Sequence, residues 1–354
     1  MSETSPRLLI AASGTGGHLF PALAVAEQLS DWQIDWLGVT GRLEQTLVTD
    51  YPLHTVNVEG FQSRGLKSLF VFYRLAIAIF QVRKLLKRLR IDAVFTTGGY
   101  ISAPAILAAR WCGIPVIIHE SNAIPGKVTK LLAPFCTQVA IGLEMAAQSL
   151  PKKKTIWLST PVRETFLSPQ SLDFPIPQDA TVIVVMGGSQ GAVVLNQLVR
   201  DCAKTWLATG IYLVHLTGDR DPDADSFQHP HYFPLPFYNN MAGLLQRANL
   251  AISRSGAGTL TELAITKTPA ILIPYPFAAE DHQYYNALAF KEAEAALIYR
   301  QQQLTPEILE KEVLRLLNNP DELERMSENA GTLAVADSAE RLAALIQDNL
   351  KVAN

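Results

Sequence analysis

The chain has 354 residues, 48% of them hydrophobic and 18% charged, which excludes a disordered or fibrous polypeptide and exceeds one ordinary core, so two domains are expected. A net charge of −3 excludes a global attraction to nucleic acid or anionic membrane, and any such affinity must come from a local cluster. Cys112, Cys136 and Cys202 are far apart in apolar surroundings, without the spacing of a zinc site or a disulfide framework, and read as three buried thiols in a reducing cytosol.

Met1 to Arg7 is polar, so neither a signal peptide nor an anchor is expected. Leu8 to Ala12 is a short apolar run that ends in Ser13-Gly14-Thr15-Gly16-Gly17-His18, and Leu19 to Leu29 follows with helical spacing. Strand, glycine-rich turn and helix in that order place free backbone N–H groups and a helix start at one point, which suits a phosphate or an anionic transition state. Further strands are predicted at Ile34 to Leu37, Ala93 to Thr96, Val116 to His119 and Val139 to Ile141, separated by helical or Gly/Pro-marked stretches. That alternation predicts α/β architecture, a parallel sheet covered on both faces.

Between the strands at Ile34 to Leu37 and Ala93 to Thr96, residues 60–90 hold eight basic residues and no acidic one, and Leu69 to Phe80 is almost wholly apolar. The run is too short to span a bilayer. It reads either as an interfacial helix, with Arg83, Lys84, Lys87, Arg88 and Arg90 attracting anionic lipid, or as a buried helix with a solvated basic end.

Ser159 to Asp179 contains four prolines and little periodicity, and is assigned as the interdomain linker at 161–179. The first domain is thus expected at 1–160 and the second at 180–334. The second half repeats the plan: Thr181 to Met186 leads into Gly187-Gly188-Ser189-Gln190-Gly191 and a helix, with strands to follow at Tyr212 to Leu216, Leu250 to Ser253 and Ile271 to Ile273. Glu307 to Leu317 and Glu322 to Leu350 read as helical with a break near Gly331, and the terminal helix, about 335–354, is expected to pack back on the first domain.

The first turn carries Leu19 where a dinucleotide fingerprint needs a third glycine, and Asp35 lies inside the next strand, so a nicotinamide site is disfavoured. Neither half has the Gly-Lys-Ser/Thr ending of a P-loop, and no His-x-x-x-His pair suggests a metal, so neither NTP hydrolysis nor a tightly bound metal is expected. His18, at a helix start beyond two glycines, has the residue type and position of a general base, or else only hydrogen-bonds nearby backbone. Ser253-Arg254-Ser255-Gly256-Ala257-Gly258-Thr259-Leu260-Thr261-Glu262 combines small residues and hydroxyls at a strand-to-helix turn, the strongest diphosphate cradle in the chain. Glu262 would reach the hydroxyls of a ribose or merely favour the helix start, and Asp281 in Glu280-Asp281-His282-Gln283 would be a ligand or an ordinary N-cap.

Five motifs in series, Gly14-Thr15-Gly16-Gly17-His18-Leu19-Phe20-Pro21, His119-Glu120-Ser121-Asn122, Gly187-Gly188-Ser189-Gln190-Gly191-Ala192, Ser253-Arg254-Ser255-Gly256-Ala257 and Asp281-x-Gln283-x-x-Asn286, cover nearly the whole chain. In that order they resemble the MurG family, the undecaprenyl-diphospho-muramoylpentapeptide N-acetylglucosaminyltransferases of bacterial peptidoglycan synthesis. The resemblance implies a GT-B fold, two Rossmann-like domains facing across a cleft, and an inverting hexosyltransferase that moves N-acetylglucosamine from UDP-N-acetylglucosamine to the 4-hydroxyl of a lipid-linked muramoyl-pentapeptide. It implies no cofactor, since the UDP-sugar is a substrate, and no nucleic acid.

Carried over by position, Thr15, Gly16, Gly17, Asn122, Arg163, Ser189, Gln283 and the stretch from Ser255 to Glu262 would line the UDP-N-acetylglucosamine site. Backbone near Tyr238 would meet uracil, Glu262 the ribose and Gln283 a sugar hydroxyl. His18 would be the catalytic base, and Tyr100 and Asn122 would lie on the acceptor side. The basic apolar segment 64–90 would rest on anionic lipid, making the protein peripheral on the cytoplasmic face of the plasma membrane, with room for protein partners in wall synthesis, cell shape and division. Two positions depart from the family's usual pattern: Ser121 stands where glutamine is usual, and Ser159-Thr160 where Gly-Asn is usual. A glycolipid synthase moving a hexose from UDP to diacylglycerol, a UDP-N-acetylglucosamine hydrolase or epimerase, and a nucleotide-sugar-binding regulator without turnover remain as rival readings.

Overall fold

The computed structural model describes residues 5–58, 66–188 and 191–351. The chain forms two compact units, one of Met1–Arg163 with Asp337–Asn354, the other of Glu164–Ala336.

The first unit runs β1 (Arg7–Ala11), α1 (Gly16–Glu27), β2 (Gln33–Val39), α2 (Glu44–Leu47), β3 (Leu53–Val56), α3 (Leu66–Leu89), β4 (Ala93–Thr96), α4 (Ser102–Cys112), β5 (Val116–Glu120), α5 (Lys127–Leu132), β6 (Gln138–Ile141) and β7 (Thr155–Trp157). The second runs β8 (Val182–Met186), α6 (Val193–Ala208), β9 (Tyr212–Leu216), β10 (Tyr232–Leu235), α7 (Met241–Arg247), β11 (Leu250–Ser253), α8 (Ala257–Ile265), β12 (Ala270–Leu272), α9 (His282–Glu292), β13 (Ala296–Ile298), α10 (Pro306–Leu317) and α11 (Pro320–Thr332). A last helix, α12 (Ser338–Lys351), belongs to the first unit.

Both sheets are parallel, ordered β3-β2-β1-β4-β5-β6-β7 and β10-β9-β8-β11-β12-β13. Strands such as Val116–Glu120 and Val182–Met186 are buried at every residue, as expected where helices cover both faces. Side chains alternate across the first sheet. Leu8 and Ile10 pack with residues of α1 and with Leu342, Ala343 and Ile346 of α12, whereas Leu9 and Ala11 pack with Ala78, Val82 and Leu86 of α3 and Ile106 of α4. Burying that apolar stripe is what fastens α12 to the first sheet.

Helix boundaries follow local chemistry. α4 stops at Gly113, which takes the left-handed conformation at φ 74° and returns its N–H to the last turn. α10 starts with Thr305, whose side chain accepts from the Ile308 N–H, followed by Pro306.

The stretch 161–179 differs from the expected linker, because the chain changes unit between Arg163 and Glu164. Phe166 is buried, and α7 with its cap fastens much of the rest to the second unit. Asn240 donates to the Ser171 carbonyl (2.7 Å), Gln246 to Ser168 (2.9 Å), and Arg247 to Pro177 (2.8 Å) and Ala180 (2.6 Å). This proline-rich segment is irregular beyond a single 3-10 turn at Glu164–Phe166 and joins no sheet, so its carbonyls are satisfied by side chains of a neighbouring helix.

Of the thiols, Cys136 and Cys202 are buried and free, while Cys112 is only half-buried because it closes α4 at the surface. Burial pushes the Cys136 and Cys202 thiols up to about 12.

Among the described residues no helix is long and apolar enough to cross a membrane. α3 buries Val71, Ala78, Val82 and Leu86 but exposes Phe72, Tyr73, Ile77 and Phe80. Phe80 meets the exposed Trp111 edge-on at 5.3 Å, and the Arg83 guanidinium lies 4.4 Å over the same indole. The helix therefore joins both expected features, a core face and an aromatic, basic outer face.

Candidate active site

In each sheet the strand order reverses beside the first strand, between β1 and β4 and between β8 and β11. The loops that leave the carboxyl ends at such a switch point diverge and leave room for a ligand.

In the first unit those loops carry His18 and Thr97. The imidazole Nδ1 donates to the Thr97 carbonyl at 2.7 Å, and Thr97 Oγ1 donates to the His18 carbonyl at 2.9 Å. A carbonyl only accepts, so Nδ1 holds the hydrogen and Nε2 the lone pair. The ring lies against Gly98 and Gly99, at φ 95° and 77°. A Cβ on Gly98 would stand 3.4 Å from Cε1, and one on Gly99 3.6 Å from Nε2. Tyr100 follows at 43% exposed.

The next loop along the sheet is organised by Glu120, a buried carboxylate at the end of β5. It accepts from the Asn122 backbone N–H (3.1 Å), the Asn122 side-chain amide (3.1 Å) and the Gly126 N–H (3.0 Å), and so fixes the orientation of the Asn122 side chain. His119 beneath it is fully buried. It donates Nε2–H to the Ser159 carbonyl at 2.9 Å and accepts from Ser121 Oγ at 3.3 Å, and burial holds it below the usual imidazole range. Ser121, Ser159 and Thr160, the departures from the family pattern, thus surround one histidine and Gly142, whose Cβ would fall 2.3 Å from Thr160 Oγ1. Arg163 stacks its guanidinium 4.5 Å over Phe20 of α1, two residues beyond His18. Thr15 caps α1 in extended conformation without a side-chain cap bond, so its first-turn amides are not claimed by that hydroxyl.

In the second unit the cradle is built around the start of α8. Gly256 is the N-cap and makes no side-chain cap bond, and a Cβ on Gly258 would meet nothing within 4 Å. No side-chain cap claims the first-turn amides of α8, which stand at the positive end of the helix, and the space beside Gly258 is open. Ser255 Oγ donates to the Gln283 carbonyl (2.7 Å), the buried Asn286 side chain donates to the Ser255 carbonyl (3.2 Å), and Gln283 Oε1 accepts from the Tyr275 N–H (2.8 Å). The structure thereby brings Ser255, Gly256, Ala257, Gly258 and Gln283 together. Thr261 spends its hydroxyl on the Ala257 carbonyl at 3.0 Å, and Glu262 sits half-buried one residue on.

The remaining residues singled out in the sequence are placed as follows. Leu260 is 2% exposed and its side chain belongs to the core, because its helix face turns inward. Tyr238 lies on the loop after β10, its ring 5.1 Å from Phe174. Asp281 is the N-cap of α9 at φ 54° but makes no side-chain cap, because its carboxylate pairs with Arg300 at 2.7 Å. Asp35, inside β2, is buried and held by Arg7 (2.6 Å) and His54 (2.8 Å). Ser189 lies outside the described residues. Among the described residues no cluster of three His, Cys, Asp or Glu side chains is placed to hold a metal ion.

Glu120 and Arg254 fall inside motifs quoted from the sequence but carry no role of their own there, and Thr97 lies outside those motifs. Arg254 is 6% exposed and donates to the carbonyls of Ile273 (3.0 Å) and Pro274 (3.2 Å) and to Gln301 Oε1 (2.6 Å).

These two sets of switch-point loops match known domains. The family model described as the glycosyltransferase family 28 N-terminal domain matches residues 8–141, and that of the family 28 C-terminal domain matches residues 182–342. A UDP-N-acetylglucosamine–N-acetylmuramyl-(pentapeptide) pyrophosphoryl-undecaprenol N-acetylglucosamine transferase of Gloeothece citriformis is 66% identical, covering 100% of this chain and 99% of its own. Its namesake in Rippkaea orientalis is 65% identical, over 98% and 99%. Among solved structures, Acinetobacter baumannii MurG is 31% identical with a TM-score of 0.77, covering 97% of this chain and 99% of that one. The fold and both domains are those of a family 28 glycosyltransferase. Within that class, the chain belongs to the MurG family.

Proposed function

We propose that this protein is the N-acetylglucosaminyltransferase that moves N-acetylglucosamine from UDP-N-acetylglucosamine to the 4-hydroxyl of undecaprenyl-diphospho-N-acetylmuramoyl-pentapeptide, converting lipid I to lipid II in peptidoglycan synthesis. The observation that carries the mechanism is the fixed tautomer of His18, whose Nε2 lone pair is kept available by the Nδ1–H bond to Thr97. Nε2 takes the proton of the acceptor hydroxyl as that oxygen attacks the anomeric carbon from the face opposite UDP, inverting it through an oxocarbenium-like state. Negative charge on the departing diphosphate is met by the first-turn amides of α8. Donor contacts are assigned to Thr15, Gly16, Gly17, Asn122, Arg163, Ser189, Tyr238, Gln283 and the turn from Ser255 to Glu262, and acceptor contacts to Tyr100 and Asn122.

The exposed Phe72, Tyr73 and Phe80 with Arg83 support an interfacial role for α3. We assign this face to anionic lipid on the cytoplasmic side of the plasma membrane, where the acceptor is anchored.

The test is transfer of radiolabelled N-acetylglucosamine from UDP to a lipid-linked muramoyl-pentapeptide, with UDP-galactose and diacylglycerol run in parallel. Label on the muramoyl lipid is expected; label only on diacylglycerol overturns the acceptor assignment.

A further inference from the structure

We propose that Glu44 is a positioning residue for this transfer, the internal anchor of the glycine-rich turn that carries His18. The inference rests on the assignment of His18 as base.

Glu44 opens the four-residue helix α2 and is 0% exposed. Its Oε1 accepts from Ser13 Oγ (2.6 Å) and the Val39 N–H (2.7 Å), and its Oε2 accepts from the Gly14 N–H (3.1 Å). Among the described residues no lysine or arginine pairs with it, so these three donors alone hold a desolvated carboxylate. Space is reserved for it, since a Cβ on Gly38 would stand 2.7 Å from its Cγ and 2.8 Å from its Oε1.

The donors belong to the end of β2 and to the turn after β1. In a nucleotide-binding turn of this kind, backbone N–H groups face a phosphate. Here the Gly14 N–H faces a carboxylate of the same chain, and Gly14 is held at φ 102°. The turn is therefore pinned at both ends, by Glu44 at Ser13 and Gly14 and by Thr97 at His18. Fixing the ring to within a fraction of an ångström matters because small misplacements of a reacting group carry large rate costs.

Glutamine in place of Glu44 keeps the shape but not the acceptor count. With its one oxygen on Ser13 and Val39, its amide N–H₂ must face the Gly14 N–H, donor against donor. Glu44→Gln is therefore expected to lower kcat about 10- to 100-fold, with KM for UDP-N-acetylglucosamine changed less than about two-fold. In the His18→Ala background it should cost nothing further, because the two residues act as one unit. Ser13→Ala, which removes one bond of the three, should cost about three-fold. Exchange of the Gly14 amide hydrogen should quicken in Glu44→Gln, whatever the acceptor.

Unchanged kcat in a folded Glu44→Gln, or a loss that multiplies fully with His18→Ala, overturns the proposal. Should Glu44→Gln fail to fold, Ser13→Ala decides by the same two comparisons. If the unaltered protein transfers nothing to the muramoyl lipid, the functional reading fails by itself, and unchanged Gly14 exchange then removes the anchor as well.

Discussion

The Nδ1–H of His18 points at the Thr97 carbonyl, 2.7 Å away, and that one bond decides which imidazole nitrogen can take a proton. Replacing His18 by Ala should lower kcat about 10²- to 10⁴-fold while UDP-N-acetylglucosamine binds as before. Steady-state kinetics with both substrates varied reads the two effects separately, and an unaltered kcat would take His18 out of the reaction.

The same ring explains the glycines beyond β4. Gly99 sits at φ 77°, and its missing Cβ would lie 3.6 Å from His18 Nε2, the nitrogen proposed to take the acceptor's proton. Gly99→Ala should cost about 1 kcal/mol of stability from the left-handed backbone. It should also lower kcat by more than that loss explains, because the new methyl crowds the base. Denaturant titration and turnover on one preparation separate the two.

The sheets were legible because parallel strands buried on both faces read as unbroken apolar runs. Ala93–Thr96, Tyr212–Leu216 and Leu250–Ser253 fall where the residues predict them. Short edge strands such as Leu53–Val56 and Thr155–Trp157 were not, since three or four residues with polar neighbours carry no period. Among the site residues, glycines and His18 announce themselves by type and place. Glu44 and Glu120 do not. A glutamate becomes an anchor only when distant N–H groups converge on it, and nothing within its own segment records that convergence. Thr97 was hidden for a related reason, because its backbone carbonyl sets the tautomer.

Ser159 is a buried non-glycine residue at φ 65°, and its family resemblance places glycine there. The strained backbone costs about 1 kcal/mol or more, and added freedom in the unfolded chain takes back roughly half of any gain. Ser159→Gly should therefore raise Tm by about 1–2 °C in a thermal melt. Transfer should be unaltered, because the carbonyl that receives His119 stays in place.

His215 is 0% exposed, between Tyr232 Oη (2.9 Å) and Asn196 Oδ1 (3.1 Å), and burial with the Arg200 charge nearby pulls it down to about 3. The folded protein leaves it neutral while the unfolded chain protonates it below about 6.5, so its contribution is complete above that pH and is lost as pH falls toward 3. At pH 5 the loss amounts to roughly 2 kcal/mol. Urea titrations at pH 7.5 and pH 5 should show this difference in the second unit, and His215→Gln should flatten it. An equally steep acid slope in the variant would assign the effect elsewhere, His119 being the first alternative.

Arg254 presents the opposite balance. Its guanidinium is buried and carbonyl-bonded, lies 5.7 Å over the Tyr275 ring, and has no carboxylate partner among the described residues. Burial draws its pKa down to about 10. A desolvated cation without an anion is held at a cost to stability, and this one directly precedes the turn assigned to the diphosphate. That placement predicts that the donor supplies the counter-charge. Arg254→Gln, which removes the buried charge, should weaken UDP binding about 10-fold in calorimetry while Tm stays level or rises. Arg254→Lys should bind UDP more tightly than Arg254→Gln, although it loses the planar fork and with it some Tm. If Arg254→Gln instead melts early and binds UDP as the unaltered protein does, the residue serves the loop after β12, and the field at the cradle comes from α8 alone.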